Sequence, residues 1–317
     1  MKILWQLPHK NLNNANRTIV VGYKRSFENY GHTFRFLTAE DSFWETYSTY
    51  KPDLFFTSLN SYYIKYLNLD HLTLARKDGL MVFSVVPSWK DPGTRKKANE
   101  IYDLHSNSYL KSLVVNSGFA DVYYSVFEKE DPRICDFEKD TGQLYITLPL
   151  AADSLTLKNS YSDKFYSDIS YIGTNLPDKR EFFKEYLFPL KDSYDLRLYG
   201  QDWTFIDRTR NNLAKVGKYL NIKYLKDLNK INLSLEDEAK IYNSSTISIN
   251  IHQSYQRRYG GDTNERTFKI PFCGGFEITD YVKCLDKYFD IGKELIVARS
   301  SSEWFEKIEY YVFNSCS

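Results

Sequence analysis

The stretch NERTFKIPFCGGFEITD, Asn264 to Asp280, sets Asn264, Glu265 and Arg266 directly before a short helical pattern of Phe268, Ile270 and Phe272. A helix start presents unpaired backbone N–H groups and partial positive charge. With Arg266 and Thr267 beside it, the natural guest is a phosphate. Without a guest, the same residues make an ordinary N-capped core helix. Pro271 has no N–H to donate, so the helix, expected over Thr267–Cys273, must hold Pro271 in its first turn or kink there. Gly274-Gly275 then stop it before a small strand, Phe276–Thr279.

Other residues of chemical interest end strands. Asn250 and His252, two apart at the end of the apolar run Ile247–Ile251, share one strand face. His252 is a catalytic candidate, set against the plainer reading of a structural imidazole. SYQRRYGGDT follows, with Arg257, Arg258 and Asp262 around Gly260-Gly261, a flexible loop able to cover a ligand. The run Ile169–Ile172 ends in Gly173-Thr174, where backbone can approach a phosphate, and Lys179-Arg180 come next; as surface charges they need no function. Tyr199-Gly200 end the following strand. In the first half, His9 comes straight after the first strand and is a general-base candidate, with Asp91 of SWKDPG as the second.

Such residues need a scaffold whose strands end at one rim. Strands are expected at Lys2–Leu7, Thr33–Thr38, Asp53–Ser58 and Leu80–Val86, alternating with helices that reach Tyr30 and span Asp41–Tyr50 and Ser61–Lys77. This alternation argues for an α/β Rossmann-like domain, whose ligands sit at the carboxyl ends of parallel strands. A helix over Asn99–Ser117 and a strand over Asp121–Val126 extend it. The pattern restarts at Ile169 with a helix at Lys179–Leu190, a strand at Leu196–Tyr199, a helix at Ser234–Ser244, and a last helix at Ser302–Val312.

The chain has 317 residues, enough for two domains, and its 42 basic and 41 acidic residues leave a formal charge of +1. No whole-molecule field marks it for nucleic acid or a membrane surface. Its 27 Tyr and 21 Phe fit a compositional bias at least as well as sugar-binding faces. Four scattered cysteines form no metal pattern and no disulfide framework. MKILWQLPHK is too short in apolar residues for a secretory signal, and no apolar run approaches the ~20 residues of a membrane span, so a cytoplasmic protein is expected.

The blocks LPLAAD (Leu148–Asp153), DISYIGT (Asp168–Thr174), Lys179-Arg180, RLYGQDW (Arg197–Trp203), IYNSSTISINIH (Ile241–His252), NERTFKIPFCGGF (Asn264–Phe276) and GKELIVARSSSEWFEKIEYYV (Gly292–Val312) resemble, in order and spacing, the C-terminal half of the CgeB-like, group 1 glycosyltransferases. The resemblance implies the GT-B fold, an α/β architecture of two Rossmann-like domains facing each other across a crevice. Residues 1–155 would bind the acceptor and residues 156–317 the nucleotide sugar. It further implies transfer of a sugar from a nucleotide diphosphate donor, a UDP-sugar by expectation, to the hydroxyl of a glycan, glycolipid or small molecule. The reaction would retain configuration and use neither metal nor resident cofactor. Donor contacts would come from Gly173, Thr174, Lys179, Arg180, Tyr199, Gly200, Asn250, Asp262, Asn264, Glu265, Arg266 and Thr267.

One position departs from the family. Where relatives carry a Glu that accepts hydrogen bonds from the ribose, this chain has Lys269, which can only donate. Asp262 or Glu265 is therefore expected to take over the ribose, and Lys269→Glu is expected to leave nucleotide affinity equal or better. Two alternatives stay open: a glycosyltransferase acting on a hydroxymethylated base in DNA, with Arg95, Lys96 and Lys97 on phosphates, and a non-catalytic relative that binds a nucleotide sugar or a partner protein.

Overall fold

The computed structural model describes residues 1–7, 16–90, 104, 107–116, 118–220, 222–226, 228 and 233–314. The chain divides into two units, one of Met1–Leu150 with Tyr259–Asp262, the other of Ala151–Arg258 with Thr263–Ser317.

The first unit is a six-stranded parallel sheet in the order β2-β1-β3-β4-β5-β6, with β1 (Lys2–Gln6), β2 (Thr33–Leu37), β3 (Leu54–Ser58), β4 (Met81–Val85), β5 (Val122–Ser125) and β6 (Tyr145–Thr147). Its helices are α1 (Asn16–Asn29), α2 (Phe43–Tyr50), α3 (Ser61–Lys65), α4 (Leu69–Lys77), α5 (Ser108–Val115) and α6 (Phe137–Thr141). Alternate residues of β3 face opposite ways: Phe55 joins a core with Leu4, Val82 and Tyr123, while Phe56 packs with Ile3 and Tyr124 on the other face. The single helix expected over Ser61–Lys77 is two helices. Leu67 turns into the core and Asn68 accepts from the His71 N–H at 3.0 Å, so the chain restarts a helix with its own cap.

The second unit is a five-stranded parallel sheet in the order β11-β10-β9-β7-β8, with β7 (Ser167–Ile172), β8 (Leu196–Tyr199), β9 (Ser245–Asn250), β10 (Glu277–Asp280) and β11 (Ile296–Ala298). Strand order reverses beside β7, which places the topological switch point between β7 and β9. Around the sheet lie α7 (Arg180–Phe182), α8 (Phe205–Tyr219), α9 (Lys223–Lys226), α10 (Leu235–Ser244), α11 (Ser254–Tyr259), α12 (Arg266–Phe272), α13 (Leu285–Tyr288) and α14 (Ser301–Asn314). One face of the central strands is apolar: Ile169, Tyr171, Ile247 and Ile249 pack with Phe183, Trp304 and Ile308. The other carries small polar residues, with the Ser170 and Ser248 hydroxyls 3.1 Å apart. Small residues let α10 and α12 approach closely; a Cβ on Gly275 would come 2.6 Å from the Tyr242 carbonyl oxygen.

Two expectations change here. The helix expected over Lys179–Leu190 is irregular, passing from a 3-10 turn through α7 into a π-turn at Phe183–Leu187 and a second 3-10 turn that contains Pro189. In α12, Pro271 stands in the last turn rather than the first; the helix has only seven residues, so the missing N–H breaks little of it. Helices α8, α9, α11 and α13 and strand β11 answer to no sequence expectation.

Candidate functional site

Parity along β9 sends Ser248 and Asn250 to the face covered by α12, and both Asn250 and His252 converge on Thr267 in the first turn of that helix. The Asn250 amide donates to Thr267 Oγ1 at 3.1 Å, and His252 Nε2 lies 3.2 Å from the same oxygen. His252 Nδ1 is 2.8 Å from Asp280 Oδ1 at the end of β10. A carboxylate only accepts, so Nδ1 carries a proton; in the neutral ring Nε2 is then the acceptor and the Thr267 hydroxyl its donor. Burial would raise the Asp280 carboxyl, but His252 and Arg257 outweigh it and hold Asp280 down at about 2. Arg257 reaches Asp280 Oδ2 at 3.1 Å and the His252 carbonyl at 2.6 Å, with its guanidinium over the Phe182 ring at 4.6 Å. His252, as a catalytic candidate, is wholly buried with both ring nitrogens engaged, so in this state it positions Thr267 and Asp280.

Asn250 is a second hub. Its Oδ1 accepts from Asn264 at 2.8 Å and from Arg266 Nε at 3.1 Å, while its amide also donates to Glu277 at 2.8 Å. The Asn264 Oδ1 in turn accepts from the Arg266 backbone N–H at 3.0 Å, which fixes the entry to α12. Arg266 then donates to the carbonyls of Ile172 at 3.2 Å and Ile251 at 3.1 Å, the carboxyl ends of β7 and β9. Lys179 is buried and reaches the same Ile251 carbonyl at 2.6 Å. Burial lowers the Lys179 ammonium well below its usual range, and the nearby Arg266 lowers it further. Arg180, its neighbour in sequence, is exposed and does not join this group.

The β7 and β8 loops meet through glycine. Gly200, at φ +114°, lies so near Gly173 that a Cβ there would stand 2.4 Å from the Gly173 carbonyl oxygen. Trp203 Nε1 donates to that same oxygen at 2.8 Å, and Gly173 donates to the Tyr199 carbonyl at 2.9 Å. Thr174 and Tyr199 are half-buried at this rim. Asn175 Oδ1 and the Tyr171 hydroxyl are buried there with no hydrogen-bond partner.

The ribose expectations meet a different arrangement. Lys269 is buried, with Nζ 2.9 Å from Glu238 of α10 and 3.1 Å from Glu265. It is a structural ion triad, so Glu265 Oε1 is already occupied and Lys269→Glu would set three carboxylates together. Asp262 belongs to the first unit, where Oδ1 accepts from Arg133 at 2.5 Å. His9, Asp91 and the basic residues Arg95 to Lys97 lie outside the described residues. Among the described residues, no group of three or more His, Cys, Asp or Glu is placed to hold a metal ion. Asp280, Glu277 and Glu238 escape sequence reasoning; the one signal for Asp280 is an acid ending a strand on the ligand side of a parallel sheet.

Residues 180–315 match the family model of glycosyl transferase-like proteins. That stretch lies mostly in the second unit. Over 148 residues the chain is 26% identical to the spore protein CgeB of Bacillus subtilis (strain 168), in a match covering 43% of this chain and 41% of that protein. The chain therefore spans less than half the length of this curated relative. Among solved structures it resembles an alpha-glucosyltransferase in complex with UDP and a 13-mer DNA containing a HMU base, at TM-score 0.59 and 11% identity, covering 100% of this chain and 91% of that one. It also resembles the catalytic domain of starch synthase IV from Arabidopsis thaliana bound to ADP and acarbose, at TM-score 0.55 and 10% identity, covering 99% and 91%. The chain thus has the GT-B fold, and its second unit holds both polar hubs described above.

Proposed function

We propose that the second unit binds a nucleotide diphosphate sugar with its diphosphate on Lys179 and Arg266, and that the chain transfers the sugar to an acceptor hydroxyl. The observation that carries this reading is a pair of adjacent cations, Lys179 buried and Arg266 half-buried, without a counter-ion among the described residues. Lys179 and Arg266 converge on one carbonyl at the switch point of the sheet, and the partners found for their charged ends among the described residues are the Asn250 amide oxygen and backbone carbonyls. Two adjacent cationic groups, one buried and one half-buried, are costly to charge until an anion joins them. A diphosphate supplies that charge, and the unpartnered Asn175 Oδ1 can receive a donor from the rest of the ligand.

In the proposed reaction the bond between the sugar's anomeric carbon and the diphosphate oxygen breaks as the acceptor oxygen bonds to that carbon. The acceptor proton leaves on the departing diphosphate, whose growing charge Lys179 and Arg266 stabilise. With that stabilisation supplied by side chains, the step needs no metal. Retention of configuration and a UDP-linked donor belong to this reading through the group 1 resemblance and the UDP-bound neighbour.

The test is thermal unfolding with UDP, ADP and GDP. A nucleotide at a hundred times its dissociation constant should stabilise the protein by ~2.7 kcal/mol. Lys179→Met should weaken binding by ~1.5–3 kcal/mol, the range of a hydrogen bond to a charged group, while Arg180→Met should not. Absence of any nucleotide effect on the folded protein would sink the proposal. Incubation with a UDP-sugar, with and without hydroxymethylated DNA, separates a DNA acceptor from a glycan or small molecule, and binding without turnover would point to a non-catalytic relative.

A further inference from the structure

Helix α8 is amphipathic the wrong way round for a globular protein. At ~100° per residue, Phe205, Ile206, Thr209, Leu213, Val216 and Leu220 fall within one sector of about 100° on the helix. That sector faces out: Phe205 is 82% exposed, Ile206 62%, Leu213 41%, Val216 47% and Leu220 56%. The inward face is small and polar. Ala214 and Gly217 are buried, and Asn211 donates to Asp202 Oδ1 at 2.9 Å. A core helix buries its apolar stripe, so this stripe lacks its usual partner. The helix is firmly started all the same, by a capping box in which Thr204 accepts from the Asp207 N–H and the Asp207 side chain accepts from the Thr204 N–H.

Charge identifies the partner. Residues 205–220 contain four basic residues, Arg208, Arg210, Lys215 and Lys218, and one acid, Asp207, in a chain whose total charge is only +1. Arg208, Arg210 and Lys215 are exposed. We propose that α8 lies on an anionic lipid surface, with its apolar stripe in the headgroup and acyl boundary and its basic residues against lipid phosphates. An exposed apolar face bordered by Lys and Arg, on a helix of low overall hydrophobicity, is the pattern of an interfacial helix, and long basic side chains reach the headgroups from its flanks. A second copy of the chain fits less well, because pairing two stripes brings two basic borders together. Nucleic acid fits less well again, since phosphates leave the stripe uncovered. No described helix is long and apolar enough to cross a membrane. This inference is independent of the donor site.

Co-sedimentation of the full chain with vesicles of phosphatidylcholine, and of phosphatidylcholine mixed with phosphatidylglycerol, tests it. The protein should pellet with the anionic vesicles and be released by salt. Phe205→Ser with Leu220→Ser should abolish pelleting at an unchanged melting temperature, since both side chains are exposed. Arg208→Gln and Lys215→Gln should each lower the partition coefficient about fivefold. Should the double variant fail to fold, Phe205→Ser alone carries the same expectation. Failure to pellet with either vesicle overturns the proposal, as does pelleting that the serine variants leave intact. A concentration-dependent dimer in the absence of lipid, lost in those variants, overturns it in favour of a second copy.

Discussion

Glu277 begins β10 with Oε1 on the Asn250 amide and Oε2 buried with no partner. Burial lifts its carboxyl to about 8, against the downward pull of Asn250 and Arg266. The folded protein therefore binds a proton that the unfolded chain gives up from about 4.5 upward. This contribution is fully present below the unfolded value and is lost as pH rises through the folded one, at ~1.4 kcal/mol per pH unit between them. Glu277→Gln keeps an acceptor for Asn250 and cannot ionise. Its melting temperature is expected to fall less than that of the unaltered protein between about pH 6 and about pH 9. Parallel curves over that window would mean that Glu277 does not titrate there. Nothing in the sequence marks this residue: FEITD reads as a short strand, and the parity that turns Glu277 towards Asn250 becomes visible only with the sheet register of Glu277 against Ser248.

At the level of elements, the strands are readable because parallel strands buried on both faces keep near-continuous apolar runs, as Leu54–Ser58 and Leu80–Val86 do. Helix α8 is not, because its stripe faces solvent and its polar side faces the protein. The pairing of α10 with α12 is equally hidden. Glu238 and Lys269 are 31 residues apart, and only the close approach of the two helices joins them through a 2.9 Å ion pair. That contact makes Lys269, at the position where the resemblance puts a ribose-binding Glu, a brace between helices. Both carboxylates hold its ammonium above its usual range against the effect of burial. Lys269→Glu should therefore cost ~3–5 kcal/mol, the range for breaking a buried pair. Lys269→Met, which leaves Glu238 and Glu265 facing each other without the cation, should also destabilise, but by less than the third carboxylate does. Urea unfolding measures both, and a Lys269→Glu protein as stable as its parent would restore the ribose reading.

At the scale of the whole molecule, the sequence separates two domains near residue 155 but conceals that Tyr259–Asp262 belongs with the first. Gly260-Gly261 reads as a flexible loop, but Gly261 and Asp262 pack with Asp131 and Arg133, all four of them buried. Arg133 donates to Asp131 Oδ1 at 2.8 Å, to Asp131 Oδ2 at 2.6 Å and to Asp262 at 2.5 Å, with its guanidinium over the Phe127 ring at 4.0 Å. The Gly261 carbonyl accepts from the Glu128 N–H at 2.8 Å. This segment runs on through Thr263 into Asn264 and Arg266, so loosening it is expected to disturb the chain that enters the proposed donor site. A Cβ on Gly261 would stand 2.1 Å from Asp131 Oδ2 and 2.4 Å from Asp131 Cβ, a clash that rotamer changes alone cannot relieve. Gly261→Ala is expected to destabilise by ~2–3 kcal/mol and to weaken UDP binding by ~0.5–2 kcal/mol in the protein that stays folded. Arg133→Met, far away in sequence, should act in the same direction by removing the guanidinium that joins Asp131 to Asp262. Calorimetric titration of both variants below their melting temperatures separates the two effects: lower stability with unchanged nucleotide affinity would show that the Tyr259–Asp262 segment anchors the first unit and transmits nothing to Arg266.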